Sequence, residues 1–228
     1  MSSWCQQLSE EGKVAVAPSI LSADFSCLKD EVKAVEGAGA DCLHCDVMDG
    51  NFVPNISFGP LVVRALAEVA KIPLFTHLMI SEPAKYVDAF ADAGSSAISF
   101  HYEAMEKGHE EVIGKIRSRN IMAGIAINPD TPLGAVKHLL SEIDFLLVMT
   151  VFPGFGGQKL IQEVLEKIQE ARELRDREGY RFAIEVDGGI KADNAHLVRD
   201  AGGQILVSGT GIFKSSDYRK AISLIRGS

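Results

Sequence analysis

The stretch "LKDEVKAVEGAGADCLHCDV", residues 28–47, joins a helical pattern to a strand pattern, and the repetition of this pairing along the chain indicates the fold. Its first part has apolar residues at helical spacing, with glycines near the expected end of the helix. Its second part is a short apolar run that predicts a β-strand. Side chains alternate between the two faces of a strand, so His44 and Asp46 are expected together on one buried face.

Eight β-rich runs of this kind occur along the chain, each followed by a stretch with helical character. They are VAVAPSIL (14–21), DCLHCDV (41–47), IPLFTHLM (72–79), SAISFH (96–101), IMAGIAI (121–127), DFLLVMT (144–150), RFAIEV (181–186) and QILVSG (204–209). Strands that alternate with helices indicate parallel βαβ units, each of about 30 residues. The sequence therefore predicts an α/β protein with a single (β/α)8 TIM barrel over residues 14–228, after a loose tail over residues 1–13.

The rival architecture is an open doubly wound sheet that binds a dinucleotide. Such a sheet carries G-x-G-x-x-G directly after its first strand, whereas the first strand here continues into "PSILSADF" (18–25). The glycine-rich loop instead follows the sixth strand, which favours the barrel.

Charge and composition narrow the class of partner. The formal net charge is −8, and no run of Lys or Arg indicates a nucleic-acid or membrane surface. No apolar run approaches the roughly 20 residues of a membrane span, and the first residues resemble neither a signal nor a transit peptide. With four cysteines in 228 residues, these features predict a cytoplasmic protein without a disulfide scaffold.

Cys42 and Cys45 form a C-x-x-C pattern, which is found in redox and zinc sites. Residues three apart on a strand face opposite sides, so we favour two buried structural cysteines over a functional pair.

Polar residues stand at the predicted strand ends, where barrels hold their active sites. His44 and Asp46 end the second strand, His77 the third, His101 the fourth and Asp187 the seventh. Two imidazoles and two carboxylates are sufficient ligands for one divalent transition metal, with zinc, iron, manganese and cobalt all suited. The alternative is that the histidines are hydrogen-bonded core residues and that Asp187 caps the following helix.

Asp46 and Asp187 also form a candidate pair for proton transfer. They come from separate strands, so they can flank a substrate from two sides. A metal between them would polarise a carbonyl and stabilise the enediolate that remains after removal of an α-proton. This chemistry inverts a stereocentre beside a ketone.

Three glycine turns predict a phosphate site. "PGFGGQK" (153–159), "DGGI" (187–190) and "SGTGIF" (208–213) follow the sixth, seventh and eighth strands, where backbone N–H groups can hold a phosphate. The first is not a Walker motif, so we expect neither a nucleotide nor a redox cofactor.

The residues quoted so far occur within longer motifs that resemble the ribulose-phosphate 3-epimerase family. These are "APSILSADF", "LHCDVMDGNFVPNISFG", "HLMI", "MTVFPGFGGQ", "IEVDGGI" and "VSGTGIF", in this order from about residue 14 onward. The resemblance implies a (β/α)8 barrel that interconverts D-ribulose 5-phosphate and D-xylulose 5-phosphate in the pentose phosphate pathway.

The resemblance also implies roles for individual residues. The metal ligands would be His44, Asp46, His77 and Asp187, with Asp46 and Asp187 exchanging acid and base roles across C3. Substrate contacts would come from Ser19, His77, Met48, Met79, Met149, Gly154, Phe155, Gly156, Gly157, Gly188, Gly189, Gly209 and Thr210. From the residues alone, the three methionines are more typical of core packing, and Ser19 is equally consistent with capping a loop.

The chain departs from the family pattern at three positions. Phe75 stands where many members have an acid, Asn51 where histidine is usual, and Phe152 where glutamate or asparagine is common. These changes leave two alternatives open: an epimerase for a longer ketose phosphate such as allulose 6-phosphate, or a non-catalytic phosphosugar-binding barrel. We expect a small phosphorylated ketose as substrate and a homo-oligomer, with a dimer favoured.

Overall fold

Eight parallel strands form a nearly closed barrel in the computed structural model, which describes residues 3–228. The strands are β1 (Ala15–Pro18), β2 (Leu43–Met48), β3 (Leu74–Met79), β4 (Ala97–His101), β5 (Met122–Ile127), β6 (Phe145–Met149), β7 (Ala183–Asp187) and β8 (Ile205–Ser208). Their order is β1-β8-β7-β6-β5-β4-β3-β2, and each ladder is parallel. Every strand overlaps one of the predicted runs, so the TIM barrel is confirmed.

The gap between β1 and β2 is closed by single contacts instead of a full ladder. Ser19 forms an isolated parallel bridge to His44. At the other end, the Asp41 N–H donates to the Val16 carbonyl at 3.0 Å, and Asp41 Oδ2 accepts from the Val16 N–H at 2.8 Å. The side chain of Asp41 thus supplies an acceptor that a longer ladder would have provided.

Helices surround the barrel and cover its outer face. Within residues 3–228 they are α1 (Trp4–Glu11), α2 (Leu28–Gly37), α3 (Pro60–Ala67), α4 (Pro83–Asp92), α5 (His109–Ser118), α6 (Val164–Glu178), α7 (Ala195–Ala201), α8 (Thr210–Phe213) and α9 (Tyr218–Arg226), with a 3₁₀ segment, Leu133–Leu139, between β5 and β6. Leu43, Cys45 and Val47 point from β2 into the apolar layer beneath these helices. None of the described helices is long and apolar enough to span a membrane.

The loose tail predicted for residues 1–13 is wrong where the structure describes it, because Trp4–Glu11 is helical. Ser3 and Gln6 form a capping box at its start, and Gly12 ends it with a positive φ of 61°. Cys5 and Leu8 are buried against the bottom of the barrel. Met1 and Ser2 lie outside the described residues. The helix is short, but its buried face gives it the tertiary packing that a short helix requires.

Inside the barrel, the end opposite the predicted site is filled by apolar side chains, which we call the floor. The floor consists of Cys5, Leu8, Ala15, Ala17, Cys42, Phe75, Ala97, Phe145, Ala183, Ile205 and Val207. Trp4 packs edge-on against Phe75 at 5.5 Å between ring centroids, and Phe75 packs against Phe145 at 5.3 Å. Helix α1 therefore closes the barrel from below.

Cys42 and Cys45 lie on opposite sides of the sheet, as the strand pattern predicted. Cys42 belongs to the floor, whereas Cys45 lies in the outer apolar layer. Both thiols are free, and burial raises the pKa of each well above its usual value. Neither is a reactive thiolate, which agrees with a structural role.

Candidate active site

The four predicted metal ligands meet at the carboxyl end of the barrel. We call His44, Asp46, His77 and Asp187 the His/Asp cluster; one potential ligand atom from each lies within 4.8 Å of the others. Asp46 on β2 is directly in register with His77 on β3. Asp46 Oδ1 is 3.2 Å from His44 Nε2 and 3.3 Å from His77 Nδ1. These contacts join the ends of β2 and β3.

Asp187 completes the cluster from the end of β7. Its Oδ2 atom is 3.8 Å from His44 Nε2, and its side chain is 18% exposed, whereas His44, Asp46 and His77 are buried. Around the barrel, β1 and β8 separate β7 from β2. The two carboxylates therefore approach the mouth from different sides.

The surroundings of the two carboxylates in the cluster shift their pKa values in opposite directions. Burial alone would raise the pKa of Asp46, but His44 and His77 hold it well below its usual range. Burial, reinforced by the charge of Asp46, raises the pKa of Asp187 to about 7. Two acids whose pKa values are displaced in opposite directions are suited to opposite roles in proton transfer.

The pKa values of the two histidines are also shifted in opposite directions. Burial opposes protonation of His44, but Asp46 and Glu185 raise its pKa well above the usual value. Burial is also the main reason that the pKa of His77 is lowered to about 3. His77 is therefore a neutral imidazole near pH 7, which is the form that binds metals.

The donor set of the cluster fits a divalent transition metal. His44 Nε2 and His77 Nδ1 face each other at 3.4 Å across the same carboxylate oxygen. Ligands that bind one zinc ion at about 2.0–2.1 Å lie roughly 3–3.5 Å from one another, so this spacing is of the right size. Nitrogen and carboxylate ligands together suit zinc, iron, manganese and cobalt.

Three further polar residues, which the sequence motifs did not indicate as site residues, support the histidines on the side away from the cluster. His44 Nδ1 is 3.1 Å from Glu185 Oε1, and His77 Nε2 is 2.9 Å from His101 Nε2. His101 Nδ1 is in turn 3.0 Å from Glu103 Oε2. Strand alternation could have indicated Glu185, which precedes Asp187 by two residues and shares its face.

A cleft lies above the cluster. The predicted contact residues that line it are Ser19, Asp46, Met48, Met79, Met149, Gly154, Phe155, Gly156, Gly157, Asp187, Gly188, Gly189, Gly209 and Thr210. Ser19 donates its hydroxyl to Asp46 Oδ2 at 2.5 Å, which ties the first strand to the cluster. The methionines thus line the cleft besides packing against their neighbours. The buried His44 and His77 lie beneath it.

Glycines at one side of the cleft bring free backbone donors together. Within residues 3–228, no hydrogen bond uses the N–H groups of Gly156, Gly157, Gly189 or Gly209. At Gly189 φ is +68°, and an added Cβ would lie 2.4 Å from the Leu160 nitrogen. Only glycine permits this close approach of the loops after β6 and β7.

The three departures from the family pattern lie away from the lining of this cleft. Phe75 faces inward like His77, but its contacts are the apolar rings of the floor. Asn51 and Phe152 are exposed residues of the mouth loops. His109, at the start of α5, is buried as well, with its Nε2 atom 2.9 Å from the Tyr102 carbonyl and its ring stacked on that of Tyr102.

Comparison with known proteins agrees with this geometry. Residues 15–213 match the model of the "Ribulose-phosphate 3 epimerase family". The chain is 50% identical to ribulose-phosphate 3-epimerase of Bacillus subtilis (strain 168) over 216 residues, 94% of this chain and 99% of that protein. It is 46% identical to the chloroplastic enzyme of Arabidopsis thaliana, covering 94% and 77% of the two chains. It is 40% identical to the Escherichia coli (strain K12) enzyme, covering 92% and 94%.

Comparison with solved structures of low sequence identity supports the fold and nothing beyond it. A mutant tryptophan synthase α-subunit from the hyperthermophile Pyrococcus furiosus superimposes with a TM-score of 0.70 at 12% identity, covering 95% of this chain and 98% of that one. Thiamine phosphate pyrophosphorylase from the same organism gives a TM-score of 0.64 at 18% identity, covering 96% of each chain. Both the family match and the sequence identity to several full-length enzymes identify the chain as an isomerase that belongs to the ribulose-phosphate 3 epimerase family.

Proposed function

We propose that this enzyme interconverts D-ribulose 5-phosphate and D-xylulose 5-phosphate in the pentose phosphate pathway, by removing and returning the proton at C3. The observation that carries the proposal is the His/Asp cluster, in which two carboxylates from β2 and β7 flank the base of one cleft. The names of the relatives support the choice of substrate. The cytoplasmic location remains a prediction.

The protein's own residues divide the work. Asp46 and Asp187 exchange the roles of base and acid on the two faces of C3, and Ser19 orients Asp46 through its hydroxyl. His44 and His77, with the same two carboxylates, would hold a divalent ion of zinc, iron, manganese or cobalt. Such an ion would polarise the ketone and stabilise the enediolate charge.

The phosphate and the carbon chain have separate places in the cleft. The free N–H groups of Gly156, Gly157, Gly189 and Gly209 would hold the phosphate dianion at one side. Met48, Met79 and Met149 line the cleft near the cluster, where their polarisable sulfurs would contact the enediolate. Phe155 and Thr210 complete the lining.

The first experiment follows D-ribulose 5-phosphate by NMR in D2O with metal-loaded protein. We expect deuterium at C3 together with xylulose 5-phosphate, and the loss of both in Asp187→Asn by about 10²–10⁴-fold. Asp200→Asn, at an exposed carboxylate on α7, serves as the matched control and should keep the rate. Turnover close to wild type in Asp187→Asn would remove Asp187 from the mechanism.

The same experiment with allulose 6-phosphate tests the alternative substrate. Because Phe75, Asn51 and Phe152 lie outside the cleft lining, we expect the pentose to react faster. A faster hexose reaction would assign the longer sugar, and no reaction with either sugar in folded, metal-loaded protein would favour the non-catalytic barrel.

A further inference from the structure

The two histidines of the His/Asp cluster present different ring nitrogens to it. His44 directs Nε2 towards Asp46, whereas His77 directs Nδ1 towards the same carboxylate. A neutral imidazole has one N–H and one lone pair, and only the lone pair can bind a metal. Each ring must therefore keep its proton on the nitrogen that points away from the cluster.

At His44 the outward nitrogen meets a buried carboxylate directly. Nδ1 lies 3.1 Å from Oε1 of Glu185, whose side chain is fully buried. A carboxylate accepts hydrogen bonds, so in the metal-bound form this contact would keep the one remaining proton on Nδ1 and leave the lone pair of Nε2 for the metal. The second oxygen of Glu185, Oε2, has no hydrogen-bond partner within residues 3–228. Among these residues, the carboxylate of Glu185 therefore hydrogen-bonds His44 alone.

At His77 the same result is reached through a second histidine. Glu103 accepts from the Asn128 N–H at 2.7 Å and from the Thr131 hydroxyl with Oε1, which leaves Oε2 to accept from His101 Nδ1. A neutral His101 then has its lone pair on Nε2, where it accepts from the Nε2–H of His77. The lone pair of His77 is thereby left on Nδ1, on the side of the ring that would face a metal in the cluster.

We propose that Glu185 and Glu103 are positioning residues that determine which ring nitrogen of His44 and of His77 faces the metal. The inference rests on the proposed function, since it concerns the ligands of that metal. Glu185 acts on His44 through one hydrogen bond, and Glu103 acts on His77 through His101. The two acids differ in how many acceptor positions they must supply.

This difference makes the same isosteric substitution act in opposite ways. In Glu185→Gln one amide oxygen still accepts from His44 Nδ1, so the metal-facing nitrogen is unchanged. In Glu103→Gln the amide oxygen is needed by Asn128 and Thr131, which turns the NH2 group towards His101. His101 must then accept at Nδ1 and donate from Nε2, which moves the proton of His77 onto Nδ1.

The test titrates chelator-stripped protein with zinc and records long-range ¹H–¹⁵N spectra of the histidine rings. We expect Glu103→Gln to weaken zinc binding by about 10- to 100-fold and to place the His77 proton on Nδ1 in the metal-free protein. Glu185→Gln should bind zinc within about threefold of wild type, whereas Glu185→Leu should lose about 10- to 100-fold. His101→Leu breaks the second path without changing Glu103 and should match Glu103→Gln.

These measurements show whether Glu103 and Glu185 determine the metal-facing nitrogens of the two histidines. Equal zinc affinity in Glu103→Gln and Glu185→Gln, or an unchanged His77 tautomer in Glu103→Gln, would overturn the proposal, as would wild-type affinity in His101→Leu. If wild-type protein binds no divalent metal, the metal-dependent mechanism in the proposed function is wrong. The tautomer of His77 in metal-free wild type and Glu103→Gln still decides whether Glu103 sets the ring nitrogen.

Discussion

The floor and the mouth of the barrel are built on the same strands but hold opposite kinds of side chain. Along β3 the inward positions run from Phe75 in the floor through His77 to Met79 in the cleft. Along β2, His44 and Asp46 follow the floor residue Cys42 with the same spacing of two. A step of about 7 Å, two residues of a strand, thus separates an apolar layer from a charged one.

This contrast shows how one scaffold serves two needs. The floor lowers the free energy of the folded state by burying aromatic rings, and it needs no partner from solution. The cluster places two acids and two imidazoles in a buried site, which costs free energy unless each is paired. Substitutions at the floor should therefore change stability, and substitutions at the mouth should change chemistry.

The largest expected effect comes from Asp46→Asn at the mouth. The amide would keep the shape of the side chain but lose the charge that holds His44 and His77, as well as a proposed catalytic carboxylate. We expect kcat to fall by about 10³-fold or more, within the usual range for loss of an acid–base group. Steady-state kinetics and metal analysis measure this effect, with circular dichroism to confirm the fold. A fall of less than tenfold would place the base elsewhere.

Phe75→Ala tests the floor, where the effect should appear in stability instead. Removing a ring that packs against both Trp4 and Phe145 should lower the free energy of unfolding by about 3–5 kcal/mol. Urea denaturation measures it, and Leu61→Ala, at a side chain that is 83% exposed, should stay within about 0.5 kcal/mol of wild type. Folded, metal-loaded Phe75→Ala should keep kcat within about threefold. A loss of activity that exceeds the loss of stability would show that the floor also shapes the cluster.

The strands were predictable because each buries a short apolar run, and the period of two on β2 was sufficient to place His44 beside Asp46. Helix α1 carried a recognisable start signal, Ser3 followed by Gln6, but its polar surface and position at the terminus concealed it. Its two buried residues fit the barrel bottom, and the shape of that surface depends on strands far away in sequence.

The contacts that support the histidines could not be predicted for the same reason, although strand alternation could place Glu185 on the inward face. Glu185 and His44 are 141 residues apart, and their contact depends on how β7 and β2 approach across the barrel. His101 was visible as a strand-end residue, yet its partner Glu103 is identified only by the turn that follows β4. Local patterns predict which face a side chain takes, whereas contacts across the barrel follow from its closure.

Gly124→Ala tests how tightly the floor is packed, because it adds a single methyl group next to it. A Cβ at Gly124 would lie 2.4 Å from the ring of Phe145, so the ring would have to move within a packed layer. We expect a loss of roughly 1–3 kcal/mol in the free energy of unfolding. Gly114→Ala is the matched control, because nothing lies within 4 Å of its Cβ and it occupies the interior of α5. The control should be stabilised by up to about 1 kcal/mol. Equal effects at both positions would mean that the floor is not tightly packed.

The smallest expected effect is on how the free energy of unfolding of the metal-free protein depends on pH. This dependence comes from titratable groups at the mouth. The pKa of Asp187 is raised to about 7, and its contribution to stability is lost as the pH rises from about 4 to 7. The pKa of His77 is lowered to about 3, and its contribution grows over the pH range from about 3 to 6.5, so the two effects oppose each other. Above pH 6.5 only losses remain, because the pKa of His44 is raised well above that of the unfolded chain.

The free energy of unfolding of chelator-treated protein should therefore change little from pH 4.5 to 6.5 through these groups. From pH 6.5 to 7.5 it should fall by about 1.4 kcal/mol for each proton that the folded state alone retains. Denaturant titrations at each pH measure the slope, and His44→Gln should reduce it because that side chain has no titrating proton. Zinc at the proposed metal site would replace a proton of the cluster, so zinc-loaded protein should show no such fall. If the slope persists in both His44→Gln and zinc-loaded protein, it arises outside the cluster, and the charge contrast between floor and mouth does not govern stability near neutral pH.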